Sequence, residues 1–103
     1  MTFQQVIKRA KNIRAKYKVL ETKKYGQPWT TAQIAEGFIG DVGDLLQLVM
    51  AKQGVRDIKN VNAELKHELS DCLWAIIVLA DAYQIDLEKA FFQTMDELEA
   101  RFK

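Results

Sequence analysis

Two acidic pairs, Asp41-Val42-Gly43-Asp44 and Glu68-Leu69-Ser70-Asp71, stand in the most apolar stretches of this chain. At i, i+3 spacing the two carboxylates of each pair leave one face of a helix. Unpaired charge among apolar neighbours is costly, and no basic residue lies three or four positions from Asp41 or Asp44. A fold that accepts these pairs has to bring two helices face to face and give the four carboxylates a common counter-charge. A hard divalent cation, Mg²⁺ or Mn²⁺, suits oxygen donors of this kind. The competing reading is that they are ordinary surface acids paired with distant cations.

The remainder of the chain supports helices and nothing else. Strand alternation is absent, and five Gly and one Pro punctuate long runs of helix formers in 103 residues. The first helix is expected from about Phe3 to Lys24, with Phe3, Val6, Ile7, Ala10, Ile13, Tyr17 and Leu20 as its apolar stripe. Thr2 and Gln5 have capping-box spacing at its start, and Gly26 and Pro28 stop it. Thr30 and Gln33 open the second helix in the same way, with Trp29 and Ile34 at the hydrophobic-staple positions. Its stripe is Ile34, Phe38, Val42, Leu45 and Val49, and it ends before Gly54. Asn60 or Asn62 caps a third helix that runs to about Tyr83 through Leu65, Leu69, Cys72, Ile76 and Leu79. Asp86 caps the fourth, whose stripe is Leu87, Phe91, Met95, Leu98 and Phe102.

Short connections favour antiparallel neighbours, so the expected fold is all-α: a four-helix bundle-type protomer forming a single domain over residues 1–103. Beyond Asp71 the third helix is apolar on nearly every side, through Leu73, Trp74, Ala75, Ile77 and Val78. A helix of that kind has to be buried all round, and so small a chain cannot enclose one alone. A homo-oligomer, dimer or tetramer, is therefore expected.

Several classes are excluded. The longest apolar run, Cys72 to Ala80, ends at Asp81 after nine residues, far short of the roughly 20 that span a bilayer. Lys8 and Arg9 interrupt the place where a signal peptide would be apolar. The one cysteine, Cys72, can form no disulfide within the chain, and a cytoplasmic setting is expected. Net charge is only +1, yet residues 1–24 hold eight basic side chains against Glu21 alone. Such asymmetry can attract phosphates or nucleic acid. It equally marks a solvated helix face, which is the preferred reading, and nucleic acid is not an expected partner.

On the second helix Gly37, Asp41, Asp44 and Leu48 share a face beside the core stripe, and on the third Glu64, Glu68, Asp71 and Ala75 do so. Gly37, Gly40 and Gly43 recur every third residue inside the second helix. Each costs roughly 1 kcal/mol relative to Ala, which suggests close approach by a helix or a bound metal–phosphate group, with packing the expected cause for at least two. Glu64-Leu65-Lys66-His67 has the Glu-x-x-His form of di-iron bundles, but His67 is the only histidine and such sites need two motifs, the second of which only a homodimer could supply. His67 is placed near the mouth of the site instead, and Cys72 in the core. No phosphate loop, nucleophile elbow or zinc spacing is present.

Taken together, Gly40-Asp41-Val42-Gly43-Asp44-Leu45 and Glu68-Leu69-Ser70-Asp71-Cys72-Leu73 resemble the MazG-like all-α nucleoside triphosphate pyrophosphohydrolases. The segment Ile85 to Phe91 and the terminal Arg101-Phe102 resemble that family's last helix, and the likeness covers roughly residues 29–103. The resemblance implies Mg²⁺-dependent cleavage of a nucleoside triphosphate, canonical or not, between its α and β phosphates. Asp41 and Asp44 match the first acidic pair and Glu68 and Asp71 the second, which makes these four the implied metal ligands and catalytic residues. The family usually has Glu at both positions of the first pair, and this chain has the shorter Asp. Thr94-Met95-Asp96-Glu97 lacks the Lys and Asn that the family's last helix often offers the substrate. Phosphate contacts then fall to Lys52, Arg56 or the basic first helix, and Trp29 offers a ring that can stack on a base. The alternative from another class is a non-catalytic helical dimer that binds nucleotides or a protein partner.

Overall fold

The computed structural model describes all residues, Met1 to Lys103, as four α-helices with no strand. They are α1 (Phe3–Tyr25), α2 (Thr31–Lys52), α3 (Val61–Ala82) and α4 (Leu87–Ala100). Both capping boxes form. The Gln5 N–H donates to Thr2 Oγ1 at 3.1 Å while the Thr2 N–H donates to Gln5 Oε1 at 2.8 Å. Thr30 and Gln33 repeat the exchange at 3.2 and 2.9 Å. Asp86 caps α4 by accepting from the Lys89 N–H at 3.1 Å. Each such cap is worth about 1 kcal/mol.

The stops are equally local. Past α2, the Val55 N–H reaches the Met50 carbonyl at 2.9 Å and the Gly54 N–H that of Ala51 at 3.1 Å, with Gly54 left-handed at φ 81°. This is a Schellman turn. The same pair of bonds closes α3, from Ile85 to Ala80 at 2.9 Å and from Gln84 to Asp81 at 3.0 Å, with Gln84 taking the left-handed place at φ 57°. Of the two candidate caps for α3, Asn60 is the one that precedes the helix, at φ 55° with its carbonyl accepting the Glu64 N–H at 3.0 Å. Asn62 lies inside the helix, where its Oδ1 accepts from Lys52 Nζ at 2.7 Å.

The chain divides into two compact units, Trp29–Ile76 and Met1–Pro28 with Ile77–Lys103, and α3 runs unbroken through the boundary. In the first, α2 and the opening turns of α3 bury Leu48, Cys72 and Ala75, with Ile34, Phe38, Leu45 and Leu65 half-buried. The inward face is rotated from the expected one. Val42 and Val49, expected in the core, are each 43% exposed, whereas Leu48 is 5% exposed. The inward line of α2 is therefore Ile34, Phe38, Asp41, Leu45 and Leu48, and an acid belongs to it. On α3 the same rotation exposes Leu69 and Ile76 and turns Leu65, Glu68, Cys72 and Ala75 inward. The reason is periodicity: apolar residues outnumber the positions one face can hold, so an apolar pattern alone does not choose among overlapping stripes.

In the second unit the Phe3 ring stands 6.2 Å from both Phe91 and Phe92, which meet edge to face at 5.8 Å. Ile77, Val78 and Ala80 are buried, and Lys11 pairs with Asp81 at 3.2 Å. The later part of the expected α1 stripe does not hold, since Ile13, Tyr17 and Leu20 are exposed. Arg14 is buried instead, gripping Glu21 through two bonds of 2.7 and 3.0 Å. Within the single chain α3 is not enclosed on every side, since Leu73 and Ile76 remain exposed. No helix is long and apolar enough to cross a membrane.

Candidate active site

Within the 29–76 unit, α2 supplies Asp41 and Asp44 from successive turns of one face, and α3 supplies Glu68 opposite them. One carboxylate oxygen from each of the three lies within 4.8 Å of the others. Two oxygens on opposite sides of a hard cation stand about 4–5 Å apart, given metal–oxygen bonds of about 2.0–2.6 Å. The three are thus already at coordination spacing. Asp41 and Glu68 are half-buried and Asp44 is exposed.

No cationic side chain forms an ion pair with any of the three; the pairs in the molecule are Lys11–Asp81, Arg14–Glu21 and His67–Asp71. Glu68 Oε2 is buried and accepts no hydrogen bond. An unmet buried acceptor costs about 1–3 kcal/mol, more when it is charged, a cost that a bound cation would relieve. The acids also strain one another. Burial raises the Asp41 carboxyl above the usual carboxylate range, Asp71 and Asp44 raise it further, and His67 partly offsets them. Burial likewise raises Glu68, with Asp41, Asp71 and Asp44 adding to it and His67 opposing. The donor set, its spacing and its missing counter-charge fit a hard divalent cation.

Asp71, the fourth expected acid, stands beside this trio. Its Oδ2 lies 3.1 Å from Nε2 of the exposed His67, one turn earlier on α3. Cys72 is in the core as expected, its thiol pushed up first by burial and then by Asp41, Glu68 and Asp71.

An open cleft of about 410 Å³ adjoins the trio, lined by Asp44, Gln47, Leu48, Ile58, Lys59, Glu64 and Glu68. Trp29, Lys52 and Arg56, the expected substrate contacts, do not line it. Lys52 Nζ is engaged by Asn62, Arg56 is exposed on the α2–α3 link, and Trp29 lies along α2. A Cβ built on Gly37 would sit 3.6 Å from Trp29 Cζ3, an ordinary contact. At Gly40 and Gly43 an added Cβ would meet nothing within 4 Å, so packing inside the chain does not explain those two glycines. Gln47, Ile58 and Lys59 are the cleft residues the sequence reading missed. Gln47 had a signal, three residues after Asp44 and hence on its face; Lys59, in a loop, had none.

The model of the MazG nucleotide pyrophosphohydrolase domain matches residues 30–103, well over half of the chain. Comparison with curated proteins and with solved structures returns no match. Members of this family generally use a divalent metal, in keeping with the clustered Asp41, Asp44 and Glu68. An all-helical chain with two facing acidic segments, matched by that model across α2, α3 and α4, belongs to the MazG family of nucleotide pyrophosphohydrolases.

Proposed function

We propose that this chain hydrolyses nucleoside or deoxynucleoside triphosphates, including non-canonical ones, to monophosphate and pyrophosphate, with Mg²⁺ as its working ion and Mn²⁺ able to replace it. One observation carries the reading: Glu68 Oε2 is buried without a partner inside a set of three carboxylates that no cationic side chain neutralises. Asp41, Asp44 and Glu68 would hold the ion. When bound there, a divalent cation neutralises phosphate charge and lowers the pKa of the attacking water.

The chain's own groups do the rest. Asp71 lies outside the trio; its Oδ2 is held by His67 at 3.1 Å, and its other oxygen orients the water and takes its proton. The water oxygen then bonds to the α-phosphorus as the bond from that phosphorus to the α,β-bridging oxygen breaks, and pyrophosphate departs. Lys59 supplies positive charge to the phosphates from the cleft wall. Arg56, Lys52 and the exposed ring of Trp29 are further contacts available on the same unit.

The whole of 1–103 is proposed to act as one domain in the cytoplasm, as a homo-oligomer. Exposed Ile39, Val42, Leu46 and Val49 repeat at three- and four-residue steps on α2, and Leu69, Leu73 and Ile76 do so on α3. That is the spacing of helix packing seams, and Gly43, bordering Ile39 and Leu46 on the helix, leaves room there for close approach.

Reaction in ¹⁸O-labelled water tests the chemistry. The label should enter the monophosphate and be absent from the pyrophosphate. Release of inorganic phosphate with a nucleoside diphosphate would place the cleavage elsewhere and end this reading.

A further inference from the structure

The cleft beside the acid trio extends from Asp44 and Glu68 toward the α2–α3 link, and its charge is unevenly placed. Three carboxylates line it, Asp44, Glu64 and Glu68, but only one cation, Lys59. Lys59 stands in the link, just before α3 opens at Val61, and is exposed. It forms no ion pair with any of the three acids that share its cleft. Its ammonium is therefore available to an anion that enters from solvent. The backbone sets how far that charge is from the trio. At about 1.5 Å per residue, Glu68 lies about 10 Å along α3 from Val61. The four-carbon stem of Lys59 covers only part of that distance.

An anion that meets a cation on the trio at one end and Lys59 at the other has to be elongated and charged along its length. A triphosphate has that form, and a diphosphate ends one phosphoryl group short. Resting on the pyrophosphohydrolase reading above, we infer that Lys59 binds the γ-phosphate and is the residue by which this chain selects triphosphates over diphosphates. Lysine suits the task, because its compact ammonium with three rotatable donors fits a terminal phosphate without demanding one geometry. The bond that breaks joins the α-phosphorus to the α,β-bridging oxygen, and the γ-phosphate leaves unchanged within pyrophosphate. Lys59 thus holds substrate and transition state alike, so its contribution falls on KM and leaves kcat untouched.

Steady-state kinetics with Mg²⁺ test this, using ATP, GTP, CTP and UTP, each beside its own diphosphate. Lys59→Met keeps the stem and removes the charge. It should raise KM for the triphosphates about ten-fold, the loss expected of one hydrogen bond to a charged group. Its kcat and melting temperature should be unchanged. KM for the diphosphates should not move; where their turnover is too slow to follow, their inhibition constants against the triphosphate are read instead. Lys59→Arg, which keeps the charge, should stay close to the wild type. Equal losses on triphosphates and diphosphates would make Lys59 a general attractor of anions and overturn the inference. An unchanged KM for the triphosphates in Lys59→Met overturns it too, as does a fall in kcat alone, which would put Lys59 on the reacting phosphate. All three results leave the pyrophosphohydrolase reading standing. Absence of turnover with every triphosphate by the wild type would instead remove that reading, and this inference with it.

Discussion

Replacing Glu68 by Gln should change stability in opposite directions with and without metal. In the metal-free protein Glu68 is repelled by Asp41 and Asp44, whose oxygens lie within 4.8 Å of its own. At that separation two unit charges interact with about 1 kcal/mol in a water-like medium and about 3.5 kcal/mol at an effective dielectric near 20. Asp44 is exposed, so the lower figure applies to its pair, and Asp41 falls between the limits. Gln removes both repulsions, keeps the shape, and adds an amide that can donate to either aspartate. A gain of about 1–3 kcal/mol is expected, which for a domain of this size raises Tm by roughly 5–20 °C. With metal at about a hundred times its Kd, the wild type gains about 2.7 kcal/mol by mass action. The variant, lacking one of three ligands, should gain little. Melting curves in chelator and in Mg²⁺ or Mn²⁺ should therefore rank the two proteins in opposite order. A variant less stable than wild type in chelator, with an unchanged response to metal, would show that Glu68 is an ordinary packed side chain and refute the argument.

Three further outcomes are expected. In metal-free buffer, native Asp41 and Glu68 take up protons at a higher pH than the unfolded chain does, so their contribution to stability should grow as pH falls through the raised values and shrink as it rises. Saturating Mn²⁺ should reverse that trend because protons then compete with the ion, and a pH–Tm series for wild type beside Asp41→Asn reads both signs. Arg14→Ala should cost about 3 kcal/mol by leaving the half-buried Glu21 without its guanidinium; urea titration should show a much smaller loss for Arg14→Met combined with Glu21→Leu, and equal losses would contradict the ion-pair account. Sedimentation should find the wild type as a dimer or larger at micromolar concentration, and Leu46→Glu with Leu73→Glu should move it to the 11.8 kDa monomer; a wild-type monomer would remove the oligomer from the proposal.

What the sequence determined by itself was local. Helix ends follow from short-range chemistry, so Thr2 with Gln5, Thr30 with Gln33, Asp86, Gly26 and Gly54 announce where the helices begin and stop. Acid pairs at i, i+3 have to share a face of their helix, so Asp41 with Asp44 and Glu68 with Asp71 were legible as two acid-bearing helix faces. Tertiary structure decided which of several overlapping apolar stripes turns inward, because that choice is made by the partner surface and by no residue alone. It put Leu48 inside and Val42 and Val49 outside, buried Arg14, and exposed Ile13, Tyr17 and Leu20. It also decided the neighbours of the acids. Lys52, close in sequence, is turned to Asn62, whereas Lys59, in a loop without periodicity, lines the cleft together with Gln47. Side chains on a helix inherit direction from a repeating backbone; those in a loop acquire it only when the helices on either side have packed.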